Sequence, residues 1–466
     1  MIKGKRILCY LDNDRGRDAE MMLPLVYFIE NVLECTVEFA FVWDVHAIYR
    51  KKPDLVLLPN AIGSPLNHQI AKYANDQKVK VFALISEGNF RTDGTFNYWG
   101  YNKDKEFYED YICLWSKRTY DFLSEKEPDH IQKMVVTGGV GFDRYKIYSF
   151  KKREDFLKDR GLQQFKKVIG YAGWSFGKLF NKQGRSEIRY LHKNDPKRMD
   201  WMKQQMYLVE EILKKCIEAN QDTLFIFKRH PNEANPSIVG EGMNEMLRLK
   251  DYPNVIYVKE EENIHDLINL SDLWMAFEST TTLESWIMRE THPTILINPD
   301  PDFKRDKLYK GSIIAQGYPE LQEMIDEYYN SGTIKQFFEL DLKENRSKLI
   351  KDTIGYGDGL NHVRTGIYLS ESLDKADSKK ARFVFSFNYY MKFRLLHIVK
   401  YFYIRKLFEK LPKFKKTVWL FERFELDNIN VLKQQYWPFL SDFYLKNSIK
   451  QQYQDKTLSQ NLKRND

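Results

Sequence analysis

Short runs of apolar residues alternate with amphipathic stretches along the first third of the chain. The apolar runs have the length of buried strands, and the stretches between them repeat apolar residues at helical spacing. Strands are predicted at 6–11, 36–42, 54–58, 79–85, 111–115 and 133–136, and helices at 17–32, at 66–76 and from Lys117 onward. Strands that alternate with helices form a parallel sheet with right-handed crossovers. The pattern therefore predicts an α/β domain.

The same alternation resumes after a charged helix predicted at 151–160. Strands are predicted at 168–171, 223–227, 255–258, 273–277 and 294–297, helices at 202–219 and 264–270, and a long polar loop up to about Lys197. This repeat predicts two Rossmann-like domains that face each other across a cleft. Their predicted limits are 1–160 and 161–377, followed by a helical extension at 378–466.

Polar residues follow two of the strands predicted in the second domain. Lys-Arg-His-Pro at 228–231 follows one strand, and the hydroxyl run Ser-Thr-Thr-Thr at 279–282 follows another and opens a helix. Ligands of parallel α/β sheets bind at the carboxyl ends of the strands, and the start of a helix attracts anions. Arg229 and His230 add positive or proton-donating groups. The arrangement predicts a site for a phosphate or pyrophosphate.

One alternative for the hydroxyl run needs no ligand. Thr281 and Glu284 have the spacing of a capping box, in which a threonine hydroxyl and a glutamate satisfy the first backbone amides of a helix. A single cap does not need four consecutive hydroxyls, so the box explains Glu284 better than it explains 279–282. His292-Pro293, before an apolar run, is interpreted as a turn.

Composition excludes several classes of protein. The 466 residues are 43% apolar and 15% aromatic, which is ample for the cores of two domains and an appendage. No terminal apolar stretch is long enough for a signal peptide or a membrane span, so we expect a cytoplasmic protein. The four cysteines are widely spaced in apolar contexts, which predicts core thiols without a disulfide framework or a metal site.

Asp12-Asn13-Asp14 is the strongest candidate for a metal site. Its D-x-D pattern lies in a polar loop after the first strand, and no nearby histidine completes a ligand set. A loop facing the acceptor or a helix cap at Asp14 explains the pattern better. Asp300-Pro301-Asp302 is predicted to be a turn. We therefore predict no metal and no cofactor.

The last hundred residues differ in character from the rest of the chain. Residues 379–424 are dense in Phe, Tyr, Lys and Arg and contain few acids, and much of the formal charge of +8 is concentrated there. Aromatic residues among cations suit the surface of an anionic membrane. A small helical subdomain packed on the body is the alternative. Binding of nucleic acid is not predicted, because no known nucleic-acid module accompanies the basic segment.

Three short motifs occur in order along the two predicted domains: Ser86-Glu87-Gly88, Arg229-His230-Pro231 and Ser279-Thr280. In their conjunction the chain resembles bacterial GT-B glycosyltransferases of the surface-carbohydrate and capsule group. The likeness is greatest to enzymes that use CMP-activated sialic acid, related nonulosonic acids or 3-deoxy-octulosonate, and it extends over about residues 5–354. The chain departs from the family at Ser86, where the family usually has an acid.

The resemblance implies a role for each motif. Glu87 would deprotonate the acceptor hydroxyl, unless it is only a polar loop residue, and His230 would contact or protonate the leaving phosphate. The remaining residues would bind the donor through its phosphates, its ribose or the backbone beside it. They are Gly173, Lys228, Arg229, Ser279, Thr280, Thr281 and Glu284.

The function expected from this resemblance is the metal-independent, inverting transfer of a sugar from a nucleotide donor, with a CMP-sugar favoured. The acceptor would be a glycan or lipid-linked glycan at the inner face of the cytoplasmic membrane. A glycerol- or ribitol-phosphate transferase of similar fold is the nearest alternative. A non-catalytic protein that binds a nucleotide sugar is the alternative from another class.

Overall fold

The chain divides into two compact units. The computed structural model describes residues 2–14, 16–61, 65–85, 106–191, 196–234, 244–259, 262–303, 307–376, 380–404, 425–458 and 462. The first unit contains Met1–Tyr148 and Ile350–Asp466, and the second contains Ser149–Leu349. These limits differ from the predicted ranges 1–160, 161–377 and 378–466. The charged helix near residue 155 belongs to the second unit, and the C-terminal extension belongs to the first.

The first unit is built on a six-stranded sheet whose neighbouring strands are all parallel. Its strands are β1 (Arg6–Leu11), β2 (Thr36–Phe41), β3 (Leu55–Leu58), β4 (Lys80–Ala83), β5 (Tyr111–Leu114) and β6 (Met134–Val136). They lie in the order β2-β1-β3-β4-β5-β6. Strand β3 is buried at every position, as expected of a parallel sheet with helices on both faces.

The helices of the first unit come from both ends of the chain. Those from the amino-terminal part are α1 (Gly16–Asn31), α2 (Ala47–Lys51), α3 (Pro65–Asp76), α4 (Lys117–Lys126) and α5 (Arg144–Ile147), with 3-10 turns at Pro128–Lys133 and Val140–Phe142.

The second unit contains another six-stranded parallel sheet. Its strands are β7 (Lys167–Ala172), β8 (Thr223–Lys228), β9 (Val255–Val258), β10 (Leu273–Ala276), β11 (Thr294–Ile297) and β12 (Ile313–Ala315). Its helices are α6 (Arg153–Asp159), α7 (Lys182–Leu191), α8 (Pro196–Ala219), α9 (Ile264–Leu270), α10 (Thr281–Met288) and α11 (Tyr318–Ser331). It also has 3-10 turns at Phe176–Phe180, Pro231–Ala234, Lys307–Tyr309 and Lys335–Phe338.

The division between the units falls within α12 (Leu340–Ile354), after which the chain continues in the first unit. The later helices are α13 (Asn361–Asp374), α14 (Phe387–Ile404), α15 (Leu426–Lys446) and α16 (Ile449–Gln454).

The C-terminal helices pack on the body of the first unit. Tyr27 of α1 lies edge-on to Trp437, with ring centroids 5.3 Å apart, and edge-on to Tyr444 at 4.8 Å. Tyr148 stacks on Tyr436 at 4.2 Å. The alternative of a helical subdomain packed on the body was predicted for 379–424. Of these residues 380–404 are described, and Tyr389 among them packs on Tyr73 of α3, whereas 405–424 lie outside the described residues.

The strand order of the second sheet explains why one edge of it suits a ligand. The order is β12-β11-β10-β7-β8-β9. The chain moves outward from β7 to β9 in one direction, then returns to β10 on the other side of β7 and continues to β12. The loops after β7 and β10 therefore flank the point where the winding reverses, which is the usual binding crevice of an open α/β sheet.

Sequence periodicity placed most strands within a residue or two but missed several polar helices. The predicted polar loop contains the 3-10 turn Phe176–Phe180 and α7, and α8 begins at Pro196 rather than at Met202. The predicted fold class, α/β with two Rossmann-like domains, is confirmed by the two sheets. Among the described helices, none combines the length and the apolar character needed to cross a membrane.

Candidate functional site

Three loops meet at the carboxyl edge of the second sheet. In the strand register Ala172 pairs with Ala276 on one side and with Lys228 on the other, so β7, β10 and β8 end at the same level. The loops that begin at Gly173, Phe277 and Arg229 are consequently neighbours. This edge brings together the segments predicted at 228–231 and 279–282.

His230 is held by a residue that the sequence did not single out. Its Nδ1 lies 2.8 Å from the hydroxyl oxygen of Ser175, in the loop after β7. The ring is partly exposed. A serine that binds one ring nitrogen fixes the orientation of the imidazole, so the opposite nitrogen is aimed in a defined direction.

Glu233 lies one turn after His230. Its carboxylate accepts a hydrogen bond from the backbone amide of Gly177 at 2.8 Å. Burial raises the pKa of Glu233 to about 7, against opposing effects of the Gly177 amide, Asn244 and Arg229. Near neutral pH the protonated and the ionised form of this carboxyl group are therefore both populated.

Glu245 is a second buried carboxyl group at this edge. Its Oε1 accepts hydrogen bonds from the Tyr171 hydroxyl and the Trp174 backbone amide, each at 3.0 Å. Burial raises the pKa of Glu245 to about 8, and the charge of Glu233 adds to the increase. Neither carboxyl group was predicted from the sequence, because Glu245 follows its partner Tyr171 by more than seventy residues and no local spacing relates them.

The hydroxyl run forms a turn that is fixed by its own hydrogen bonds. The Thr281 hydroxyl donates to Ser279 Oγ at 3.0 Å, and the Thr281 backbone amide donates to the same oxygen at 3.3 Å. The Trp274 indole N–H donates to Thr281 Oγ1 at 2.9 Å. Thr280, which precedes α10, makes no side-chain cap. The positions of these hydroxyl groups are therefore fixed by the hydrogen bond from Trp274 of β10 and by the hydrogen bonds within the run.

Two of the predicted substrate-binding residues have structural partners, and a third is buried. Lys228 Nζ donates to the backbone carbonyls of Lys259 and Glu262, at 2.6 and 3.0 Å. At Gly173 an added Cβ would lie 2.3 Å from Met246 Cε, so the missing side chain makes room for packing. Glu284 is buried in α10. The presence of lysine at 228 and of glycine at 173 can therefore be explained by hydrogen bonding and packing within the protein, without a ligand.

Aromatic rings cover the same edge beside the hydroxyl turn. The buried ring of Phe277, two residues before Ser279, lies 5.3 Å from Phe176 and 6.5 Å from Trp201. Trp201 packs on Phe303 at 4.7 Å, and both of these rings are partly exposed. The edge therefore offers flat apolar surface next to polar donors.

In the first unit, the predicted base Glu87 lies outside the described residues, as do Ser86 and Gly88. The chain is described up to Ile85, just after β4. Here a small concave pocket opens at the carboxyl ends of β4, β5 and β6. It is lined by Met21, Leu84, Ile85, Cys113, Trp115, Gly138, Val140 and Gly141.

The D-x-D pattern has a structural role at its second acid. Asp14 is fully buried, and its Oδ2 accepts hydrogen bonds from the Glu425 backbone amide at 2.7 Å and from Asn428 Nδ2 at 2.8 Å. It therefore anchors the start of α15. Within the described part of the chain, no cluster of three or more His, Cys, Asp or Glu side chains is arranged to hold a metal ion.

Comparison with known proteins gives a likeness of fold. No family model matches the chain, and no curated protein matches it. A solved structure described as a UDP-N-acetylglucosamine 2-epimerase of Listeria monocytogenes has a TM-score of 0.51 at 14% identity and covers 80% of this chain and 98% of its own. Staphylococcus aureus MnaA in complex with UDP has a TM-score of 0.51 at 13% identity, covering 79% and 97%.

A glycosyltransferase of Rickettsia africae also matches, with a TM-score of 0.42 at 13% identity, covering 80% of this chain and all of its own. At these identities the likeness concerns the fold alone. The chain thus has a GT-B-type fold with two Rossmann-like domains.

Proposed function

We propose that the chain is an inverting glycosyltransferase that moves a sugar from a nucleotide donor, with a CMP-sugar favoured, to a cell-surface glycan acceptor in surface polysaccharide biosynthesis. The observation that carries the proposal is the meeting of three loops at the switch point of the second sheet, where His230 follows β8 and the turn at Ser279 follows β10, on either side of β7. Fixed donors at such an edge suit a phosphate on which negative charge grows as the sugar leaves.

In this proposal the phosphate lies between the loops after β8 and β10. His230 contacts or protonates the leaving phosphate, and Arg229 supplies positive charge beside it. The hydroxyls of Ser279 and Thr280 hold the phosphate oxygens, and Glu284 holds the ribose hydroxyls. Thr281 donates its hydroxyl proton to Ser279 and so supports these contacts. Lys228 acts by fixing the neighbouring loop through its two carbonyl contacts.

The raised pKa values of Glu233 and Glu245 support an anion site. Two ionised carboxylates at this edge of the sheet would repel a phosphate, whereas protonated carboxyl groups do not. Burial keeps both groups wholly or partly protonated near neutral pH. The partly exposed rings of Trp201 and Phe303 offer a stacking surface for the nucleotide base.

On the acceptor side, we propose Glu87 as the base that deprotonates the attacking hydroxyl. Replacing Glu87 with Gln should abolish turnover and leave donor binding largely intact. Unchanged turnover would remove Glu87 from this role. The acceptor proposed is a glycan or lipid-linked glycan, and residues 379–424 would hold the enzyme at the cytoplasmic face of the membrane that carries it.

The test of donor binding is a thermal-shift panel with CMP, CDP, UMP, UDP, GMP and GDP, with and without magnesium. A ligand at about a hundred times its dissociation constant stabilises the fold by about 2.7 kcal/mol, a readily visible shift. We expect a metal-independent shift with CMP that His230→Ala reduces. His130→Ala, which changes a histidine of the first unit packed on Phe107, is the matched control and should keep the full shift.

A UDP-sugar enzyme is the second candidate, because one structural neighbour was solved with UDP. A shift with UDP and none with CMP would favour this candidate, as a transferase or as an epimerase. Preference for CDP would favour the polyol-phosphate transferase. No shift with any nucleotide would leave no support for donor binding at this edge.

A further inference from the structure

Helix α14 lies with one face on the first unit. The ring of Tyr389 packs against Tyr73 of α3, with centroids 4.9 Å apart. The Arg50 guanidinium lies 4.5 Å from the centre of the Phe393 ring. The segment before the helix is also fixed, because the Tyr73 hydroxyl donates to the Val384 carbonyl at 2.8 Å. These contacts determine which side of α14 faces outward.

The outward side carries large apolar residues. Phe387, Met391, Leu395 and Ile398, here called the apolar stripe, follow one another at intervals of four, four and three residues and therefore lie along one side of the helix. Their exposed fractions are 68%, 46%, 61% and 50%. A contiguous exposed apolar surface of this kind commonly marks a contact with a protein or a membrane.

The charge around the stripe distinguishes between these two partners. No Asp or Glu occurs between Asp377 and Glu409. Lys392 and Arg394 are exposed on α14 itself. Other basic residues of the acid-free segment are Lys379, Lys380, Arg382, Lys400, Arg405 and Lys406. An apolar protein groove would account for the stripe but not for the exclusion of acids, whereas an anionic lipid surface accounts for both.

We propose that α14 docks in the plane of an anionic lipid bilayer, with the apolar stripe among the lipid chains and the flanking Lys392 and Arg394 at the headgroup phosphates. An in-plane position agrees with the finding that no described helix is suited to cross a membrane. The inference rests on the membrane association included in the proposed function, but it is independent of the transfer reaction.

The test measures flotation of the full-length protein with vesicles. We expect binding to vesicles of phosphatidylglycerol and phosphatidylethanolamine and much weaker binding to phosphatidylcholine. Leu395→Gln with Ile398→Gln should weaken partitioning by about tenfold or more, because two apolar side chains no longer leave water. Lys392→Gln with Arg394→Gln should weaken binding to the anionic vesicles by about thirtyfold.

The matched control replaces two apolar residues of similar exposure that lie in helices other than α14. Leu340 and Leu445 are 68% and 75% exposed, and Leu340→Gln with Leu445→Gln should leave vesicle binding unchanged. Thermal unfolding of each variant shows that it is folded, and a CMP shift is measured in parallel. Nucleotide binding without vesicle binding would overturn this inference alone, and vesicle binding without nucleotide binding would count only against the transfer proposal.

Two other results would overturn the inference. The first is equal binding of the stripe variant and the unaltered protein to anionic vesicles. The second is a dimer of the unaltered protein that the stripe variant converts to monomer, with vesicles bound by neither, since the stripe would then serve a second copy of the chain.

Discussion

Glu245 makes the stability of the second unit depend on pH. Burial raises its pKa from an ordinary value of 4.5 to about 8, so the folded protein binds this proton more tightly than the unfolded chain does. The resulting contribution to the free energy of unfolding is complete below pH 4.5 and is lost as the pH rises through about 8. Each unit of pKa difference corresponds to about 1.4 kcal/mol.

Glu245→Gln should flatten this decline. The amide keeps an oxygen that accepts from Tyr171 and Trp174, and it cannot ionise. Chemical denaturation at several pH values between about 5 and 8 should show a smaller loss of stability in the variant. Glu211→Gln is the control, because the pKa of Glu211 is lowered by Lys215 at an exposed position. If Glu245→Gln and the unaltered protein have parallel profiles, the proton on Glu245 has no part in stability.

The site residues that could be predicted from the sequence are those that a nearby sequence pattern marks. His230 and the hydroxyls at 279–282 stand directly after apolar strands, so their place at the sheet edge could be predicted. Ser175, Glu233 and Glu245 carry no such signal, because their partners come from distant loops that only the folded sheet brings together. Burial, which shifts both carboxyl pKa values, is likewise a property of the packed edge.

At the scale of elements, strand β10 fixes the turn that opens α10. An added Cβ on Gly170 of β7 would lie 2.3 Å from the Trp274 ring, so glycine allows the indole to lie where its N–H reaches Thr281. Trp274→Phe keeps most of the ring and removes this hydrogen bond. We expect a loss of about 1 kcal/mol in the free energy of unfolding and weaker CMP binding.

The control for this variant is Trp286→Phe. The Trp286 indole also donates to a threonine, Thr294, at the same distance of 2.9 Å. It lies in the body of α10 and contacts the first residue of β11, away from the carboxyl edge. Trp286→Phe should therefore lose similar stability and keep full CMP binding. If both variants lose CMP binding equally, the cause is the general loss of stability and not the missing hydrogen bond to the turn.

A second prediction for an element concerns the start of α15. Asp14→Ala removes the acceptor for Glu425 and Asn428 and should lower the free energy of unfolding of the first unit by about 1–3 kcal/mol. Asp427→Ala, at an exposed position in the first turn of α15, should cost only a few tenths of a kcal/mol. A magnesium-dependent change in stability that Asp14→Ala abolishes would instead favour a metal at the D-x-D pattern.

Sequence periodicity predicted the strands better than the helices for a physical reason. Each strand of a doubly covered sheet needs a continuous apolar run, which is visible in the sequence. Helix α7 is rich in charged and polar residues and has apolar residues only among its last four positions, so no apolar run marks it in the sequence. The order of the strands around β7 could not be predicted from the sequence either, because several parallel arrangements of the strands bury the same apolar segments.

At the scale of the whole molecule, the first unit depends on both ends of the chain. Its aromatic residue Tyr27 is covered by Trp437 and Tyr444, and Phe28 by Tyr453. Deleting residues 425–466 would expose this surface and should destabilise the first unit while the second unit keeps its fold. Hydrogen exchange followed by mass spectrometry should show loss of protection in β1–β6 and retained protection in β7–β12.

The control for that deletion removes residues 463–466 and should preserve protection in both sheets. Equal protection of β1–β6 in the two truncated proteins would show that the C-terminal helices add little to the first unit.

The division of the chain also has a consequence for biosynthesis. Residues 149–349 are contiguous, so the second unit can fold on the ribosome as soon as they have emerged. The first unit begins to appear earlier but lacks the partners of Tyr27 and Phe28 until residues 437–453 are translated. Its apolar helix surface must therefore stay uncovered, and open to chaperones, while the rest of the chain is made. The unit that is started first is the one completed last.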